Sequence, residues 1–218
     1  MFKILITFYM TLLQAMHTNG QIPPELSIFG HNKKIPGSVE RNVLIALSHF
    51  PELKHVRIDF RFKRNLNKSV MQAQPVPATL LQRRGKRRYR INISTEFKLI
   101  NARLSILDIP DQVLIGWIGH ELGHILDYEG RSNAQLVAFG YRYYLFPDFI
   151  KKAERTADTL AVVRGLGHHI IATKRFILDH ASLPQAYKDK ISRLYLSPDV
   201  ILEQVQKLEE KAADEKDD

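Results

Sequence analysis

His120-Glu121-Leu122-Gly123-His124 is the stretch of this chain whose residue types and spacing suit chemistry most directly. Residues four apart on a helix lie one above the other on one face. Two imidazoles so related can bind a single metal ion from the same side. Glu121 then points about one helical step away, where a carboxylate can hold a water against that ion and take its proton. By chance the pattern arises in roughly one chain in a hundred of this length, so its surroundings matter. Leu114, Trp117, Ile118, Leu122 and Ile125 make an apolar stripe on the same stretch, while His120, His124 and Asp127 share another face. Gly116, Gly119 and Gly123 each cost a helix about 1 kcal/mol relative to Ala. Glycine there suggests close packing against backbone or substrate.

A catalytic zinc ion takes three protein ligands and keeps one position for water. Glu154-Arg155-Thr156-Ala157-Asp158 offers the third. Its two acids are again four apart, and Ala157 between them leaves room for a facing helix. Glu154 is the expected ligand. Asp158 is expected to accept the second ring N–H of a ligating histidine and fix its tautomer.

HELGH followed by a helix with ExxAD resembles the gluzincin zinc peptidases, the thermolysin-like branch of the zincins. The resemblance covers about residues 87–166. It implies that His120, His124 and Glu154 hold Zn2+, that Glu121 is the general base and that Asp158 supports a ligand. It also implies a His or Tyr that stabilises the oxyanion. The candidates are His168, His169, Tyr141, Tyr143 and Tyr144, with His168 and His169 favoured because they follow the glutamate helix. In zincins an edge strand above the active-site helix pairs with extended substrate, a role that Arg87 to Ser94 or Leu104 to Leu107 can fill here. The metzincin pattern fails, because Gly130 stands where its third ligand would lie. Asp127 is the alternative third ligand. The chain is too small for the large second domain of thermolysin, so its cleft must be shallow or differently walled.

The elements that must position these groups follow from periodicity. Residues 21–37, with Pro23, Pro24, Gly30, Pro36 and Gly37, read as an extended lead-in. Ser38 is the expected N-cap of a helix reaching Phe50. Residues 55–62 alternate as a half-buried strand, and residues 65–68 turn. Thr79 to Leu81 and Arg87 to Ser94 flank Gly85 as a hairpin, and Leu104 to Leu107 is one more short strand. From Pro110 the period becomes helical, over about 110–128, 133–144, 147–166, after Ser182, and from Ser197. The expected fold class is α+β and zincin-like: a small antiparallel sheet with the active-site helix, then a helical C-terminal half.

Composition fixes the context. There is no cysteine, so disulfides, thiol catalysis and thiolate-bound zinc are excluded. Lys3 and the apolar run from Ile4 to Leu13 read as a signal peptide over residues 1–20, cut near Gly20. That predicts export to the periplasm or medium, with an N-terminal membrane anchor as the alternative. Residues 38–202 are the expected zincin-like metallopeptidase domain. Residues 203–218, rich in acids, read as a charged disordered tail. The chain carries a net +9, and Arg83, Arg84, Lys86, Arg87, Arg88 and Arg90 are its densest charge, a candidate anionic-surface contact or a solvated hairpin tip. Tyr89 is the sole aromatic among them, so specific nucleic-acid binding is not expected.

Two functions remain. One is a zinc endopeptidase acting on peptide or protein. The other is a non-catalytic, zinc-stabilised interaction module, or a binder of anionic polymer through the arginine-rich hairpin. Retention of Glu121 favours the first, since a structural site needs no base.

Overall fold

Alternation builds the sheet. Arg57, Asp59 and Arg61 reach outward while Ile58 and Phe60 are buried, the period of two that a strand with one covered face requires. The computed structural model describes residues 22–64, 66, 69–83, 85–95, 105–180 and 183–217. The expected signal segment, Arg84, Leu104 and most of the 65–68 turn lie outside the described residues.

Four strands are ordered β1-β2-β4-β3: β1 (Lys33–Lys34), β2 (Arg57–Lys63), β3 (Met71–Pro75) and β4 (Arg88–Ser94). The β1–β2 and β2–β4 pairs are parallel and β3–β4 is antiparallel. The sheet is therefore mixed, not antiparallel as expected. The cause is connectivity: helix α1 (Glu40–Ser48) carries the chain from β1 across to β2, and a crossover of that kind returns the strand in the same direction. The anticipated hairpin is also displaced. The partner of β4 is β3, because Pro77–Thr79 coils into a 3-10 turn in which Thr79 Oγ1 accepts from the Arg88 N–H at 3.0 Å. Thus β4 is an interior strand and β3 is the edge. Ile106–Asp108 is a 3-10 turn where a strand was expected.

The lead-in is not extended throughout. It holds a helical turn (Pro24–Ser27), a 3-10 turn (Ile28–Gly30) and β1. Ser38 sits inside a further 3-10 turn (Gly37–Val39), so it does not cap α1.

The helical half runs α2 (Asp111–Gly130), α3 (Asn133–Leu145), α4 (Pro147–Ala161), α5 (Gly167–Asp179), α6 (Gln185–Leu194) and α7 (Pro198–Asp217). Every residue of α2 from Val113 to Ile125 is buried, so the helix is enclosed on all sides by α1, β3, α4 and α5. The chain leaves α4 at Val162–Leu166, a wider helical turn in which Gly165 takes φ 85°, a conformation open to glycine. The helix expected over 147–166 is therefore interrupted at Gly165. Residues expected to form a disordered tail continue α7. Ile201 and Val205 are buried, and beyond them Glu203–Lys207 and Lys211–Glu215 are paired one turn apart.

Arg87 departs most from the solvated tip expected of it. It is 1% exposed, and its guanidinium donates to Tyr128 O at 3.1 Å, Arg131 O at 2.9 Å and Asn133 Oδ1 at 3.2 Å. It thereby satisfies carbonyls at the end of α2 and fixes the start of α3.

One of the close backbone approaches in the helical half lies inside the HELGH stretch. A Cβ on Gly123 would stand 2.5 Å from Ala157 O and 3.2 Å from Ala157 Cα. Gly123→Ala should therefore lose more to overpacking, about 1–3 kcal/mol, than the roughly 1 kcal/mol of helix propensity it gains. Its urea midpoint should fall below that of the unaltered protein. A raised midpoint would show that α2 and α4 do not meet at this point.

Candidate metal centre

Helix geometry sets two pairs of side chains against each other. His120 and His124 stand one turn apart on α2, their ring centroids 4.7 Å apart and nearly perpendicular. Glu154 and Asp158 stand one turn apart on α4, and the contact of Gly123 with Ala157 brings the two pairs together. Donor atoms of His120, His124 and Glu154 all lie within 4.8 Å of one another, and all three residues are buried.

The donor set fits a small tetrahedral cation. Ligands about 2.0–2.1 Å from zinc stand roughly 3.3 Å from one another at tetrahedral angles. Here Glu154 Oε2 is 3.0 Å from His120 Nε2 and 3.5 Å from His124 Nε2. Asp158 Oδ1 lies 2.8 Å from His120 Nδ1, which leaves Nε2 as the free donor once Nδ1 carries the proton. Asp158 is itself held by Lys174 Nζ at 3.0 Å and by the Leu196 N–H at 3.1 Å. Packing positions His124 instead, its ring stacked on Tyr128. His124 Nδ1 has no hydrogen-bond partner among the described residues. The hydroxyl of Tyr143 donates to Glu154 Oε1.

Electrostatics follow from this packing. Burial opposes charge on His120, yet the hydrogen bonds to Asp158 and Glu154 outweigh it and raise its pKa to about 10. Burial likewise opposes the Glu154 carboxylate, but His124 and His120 hold it well below the usual range. Asp158 is lowered against its own burial by Lys174 and His120. Glu121 goes the other way. Burial raises it, and the two histidines offset that only in part. Its carboxylate accepts the Ala73 N–H of β3 at 2.5 Å.

These groups open into a cleft of about 720 Å³. The edge strand β3 forms one wall; α3 and α6 supply the other through Phe139, Tyr143 and Leu194. Glu121, His124 and Glu154 line its floor. The cleft is thus walled by an edge strand and two helices.

The expected residues do not all arrive here. His120, Glu121, His124, Glu154 and Asp158 converge. Asp127 does not: its carboxylate is clasped by Arg131 at 2.9 Å, so it is not the third donor. His168 and His169 do not line the cleft. His168 is 72% exposed beside Glu209, and His169 Nδ1 lies 3.2 Å from Gln112 O at the start of α2. Of the candidates, Tyr143 stands beside the donors, and Tyr195, which was not among them, stands there too. The Tyr195 ring lies 5.4 Å from His120 and 4.0 Å from Lys174 Nζ. Sequence reasoning passed over Tyr195 and Lys174. A signal existed for the lysine, which stands among Ile170, Ile171 and Ile177; a cation on an apolar face needs a buried counter-charge.

Comparison with models of known protein families, with curated proteins and with solved structures finds no match. The buried His120-His124-Glu154 group can hold a metal ion.

Glu154→Ala should lower zinc affinity by at least tenfold in competition with a chromophoric chelator, while Asp127→Ala should leave it unchanged. Equal affinities in the two variants would remove Glu154 from the donor set. Because His120 stays protonated up to about pH 10, a cation must displace that proton to reach Nε2. Zinc uptake at pH 7 should release about one proton per ion, and affinity should climb as pH rises from 6 to 8. Calorimetry in buffers of different ionisation enthalpy measures the release, and zero release would contradict the assignment.

Proposed function

We propose that this chain is a zinc-dependent endopeptidase with Glu121 as its general base. The observation that carries the reading is the position of Glu121: it adjoins the three donors, faces the same cleft and is held there by the Ala73 N–H. The pattern of residues that resembles the gluzincins supports it. Two imidazoles and one carboxylate are a donor set that suits zinc and leaves a fourth position open.

When bound, zinc supplies Lewis acidity that polarises the scissile carbonyl and makes water a nucleophile near neutral pH. Glu121 takes the proton of the attacking water. It then passes that proton to the amide nitrogen as the C–N bond breaks, so the new amine leaves neutral. The raised pKa of Glu121 suits both halves of that exchange. Asp158 keeps the His120 ring in one orientation and one tautomer throughout. The Tyr143 hydroxyl fixes Glu154 on the side away from the histidines. An extended segment of peptide or unfolded protein fits the cleft between β3 and the helices. The N-terminal segment read as an export signal, or as an anchor, assigns this activity to a compartment beyond the cytoplasm. Among the described residues, no helix is long and apolar enough to cross a membrane.

Glu121→Gln separates catalysis from metal binding. Zinc should remain near one ion per chain, while cleavage of an unfolded protein substrate falls by about 10²–10⁴-fold. Failure of the unaltered protein to take up stoichiometric zinc, or full activity in Glu121→Gln, would sink the proposal.

A further inference from the structure

The sheet turns one face to the helices and presents the other as a field of cations. Ile58, Phe60, Tyr89 and Ile91 are buried in the core. The residues alternating with them point the opposite way. On β2 these are Arg57, Arg61 and Lys63, all exposed; on β4 they are Arg88 and Arg90. Lys34 of β1 joins them, since it pairs with Asp59 and so shares its face. Asp59 is the single carboxylate among the described residues of that face, and it lies 3.5 Å from Arg88 Nη2. The neutral positions are the buried Asn92, which accepts from Arg61 Nε at 2.9 Å, and the buried Ser94, with Gln72 and Gln74 on β3.

Register makes this arrangement costly to the protein alone. Arg57 stands opposite Arg88, and like charges directly across a strand pair are destabilising. Arg90 Nε is buried with no hydrogen-bond partner among the described residues. Neighbouring cations sit about 4.8 Å apart across strands and roughly 6.7 Å apart along them. A nearby anionic surface would relieve the repulsion between these cations.

Shape narrows the partner. Among its described residues the face has no helix or ribbon to enter a nucleic-acid groove, and its strand residues carry no aromatic ring on which a base can stack. At the Arg57–Arg88 end, the connection from β3 to β4 presents Leu81, 88% exposed, close in sequence to the exposed Arg83 and Lys86. A projecting aliphatic residue beside cations suits the boundary between lipid headgroups and acyl chains. We propose that the cationic sheet face docks this protein on a bilayer rich in anionic lipid. The proposal is independent of the peptidase reading, because none of these cations lines the cleft of the metal centre.

Each cation brought near such a surface strengthens binding about fivefold. Co-sedimentation of the full chain with vesicles of phosphatidylcholine, with and without phosphatidylserine, measures this directly. Binding should require phosphatidylserine and should vanish as salt is raised. Arg57→Gln/Arg61→Gln/Lys63→Gln should weaken it about a hundredfold, with circular dichroism and thermal midpoint showing a folded protein. The charge-keeping variant Arg57→Lys/Arg61→Lys/Lys63→Arg should bind like the unaltered chain. Equal binding to phosphatidylcholine alone would place the contact in an apolar segment and overturn the proposal. Binding that persists in high salt overturns it without any substitution. So does a single-stranded oligonucleotide that displaces the vesicles while the glutamine variant still binds them.

Discussion

The backbone of Ala157 rests where a side chain on Gly123 would otherwise be, and the metal centre depends on that approach. Two helices that touch through a glycine can bring side chains one turn to either side within bonding distance. His120 and Asp158 meet as a result, as do His124 and Glu154. The glycine placed between the histidines by HELGH is therefore a packing residue in the middle of a chemical motif. Buried carboxylates are tolerated only when paired. Each acid here has several partners, and those of Asp158 come from α2, α5 and the segment after α6.

This network ties the C-terminal half to the site. Lys174 neutralises Asp158 from one side and sits over the Tyr195 ring on the other. Tyr195 in turn closes against His120. The helices after the glutamate helix are thus a wall of the centre, which no pattern within residues 87–166 required. The helix expected to end at Leu166 instead bends at Gly165 so that α5 can turn back along α2.

Legibility in the sequence divided along physical lines. The pairs His120/His124 and Glu154/Asp158 were readable, because a spacing of four has one geometric meaning on a helix. Their helices were readable for the same reason, and so was the α+β class. Strand order was not. Whether residues 88–94 pair with 71–75 or with 79–81 depends on a 3-10 turn at Pro77 and on where a crossover delivers β2, and neither leaves a periodic trace. Arg87 was misread because a guanidinium in a basic run looks solvated, whereas three oxygen atoms at a helix junction bury it. His168 and His169 were misread from proximity along the chain, which a turn in the helix axis cancels. The acidic residues after Glu203 looked disordered by charge alone, though charges of alternating sign one turn apart also hold a helix together.

The outer edge of β3 has a further consequence. In an antiparallel pair alternate residues bond inward, and Val70 and Val76 bond β4, so Met71, Ala73 and Pro75 face the open side. Ala73 has given its N–H to Glu121, Pro75 has none, and Ser69 Oγ donates to the Met71 carbonyl. A strand that approaches this edge finds an interrupted ladder, with two of its three donor positions and one of its carbonyls already taken or missing. The Glu121 carboxylate that lines the cleft thus also occupies one donor of the sheet's open edge, so that cleft and edge are a single surface.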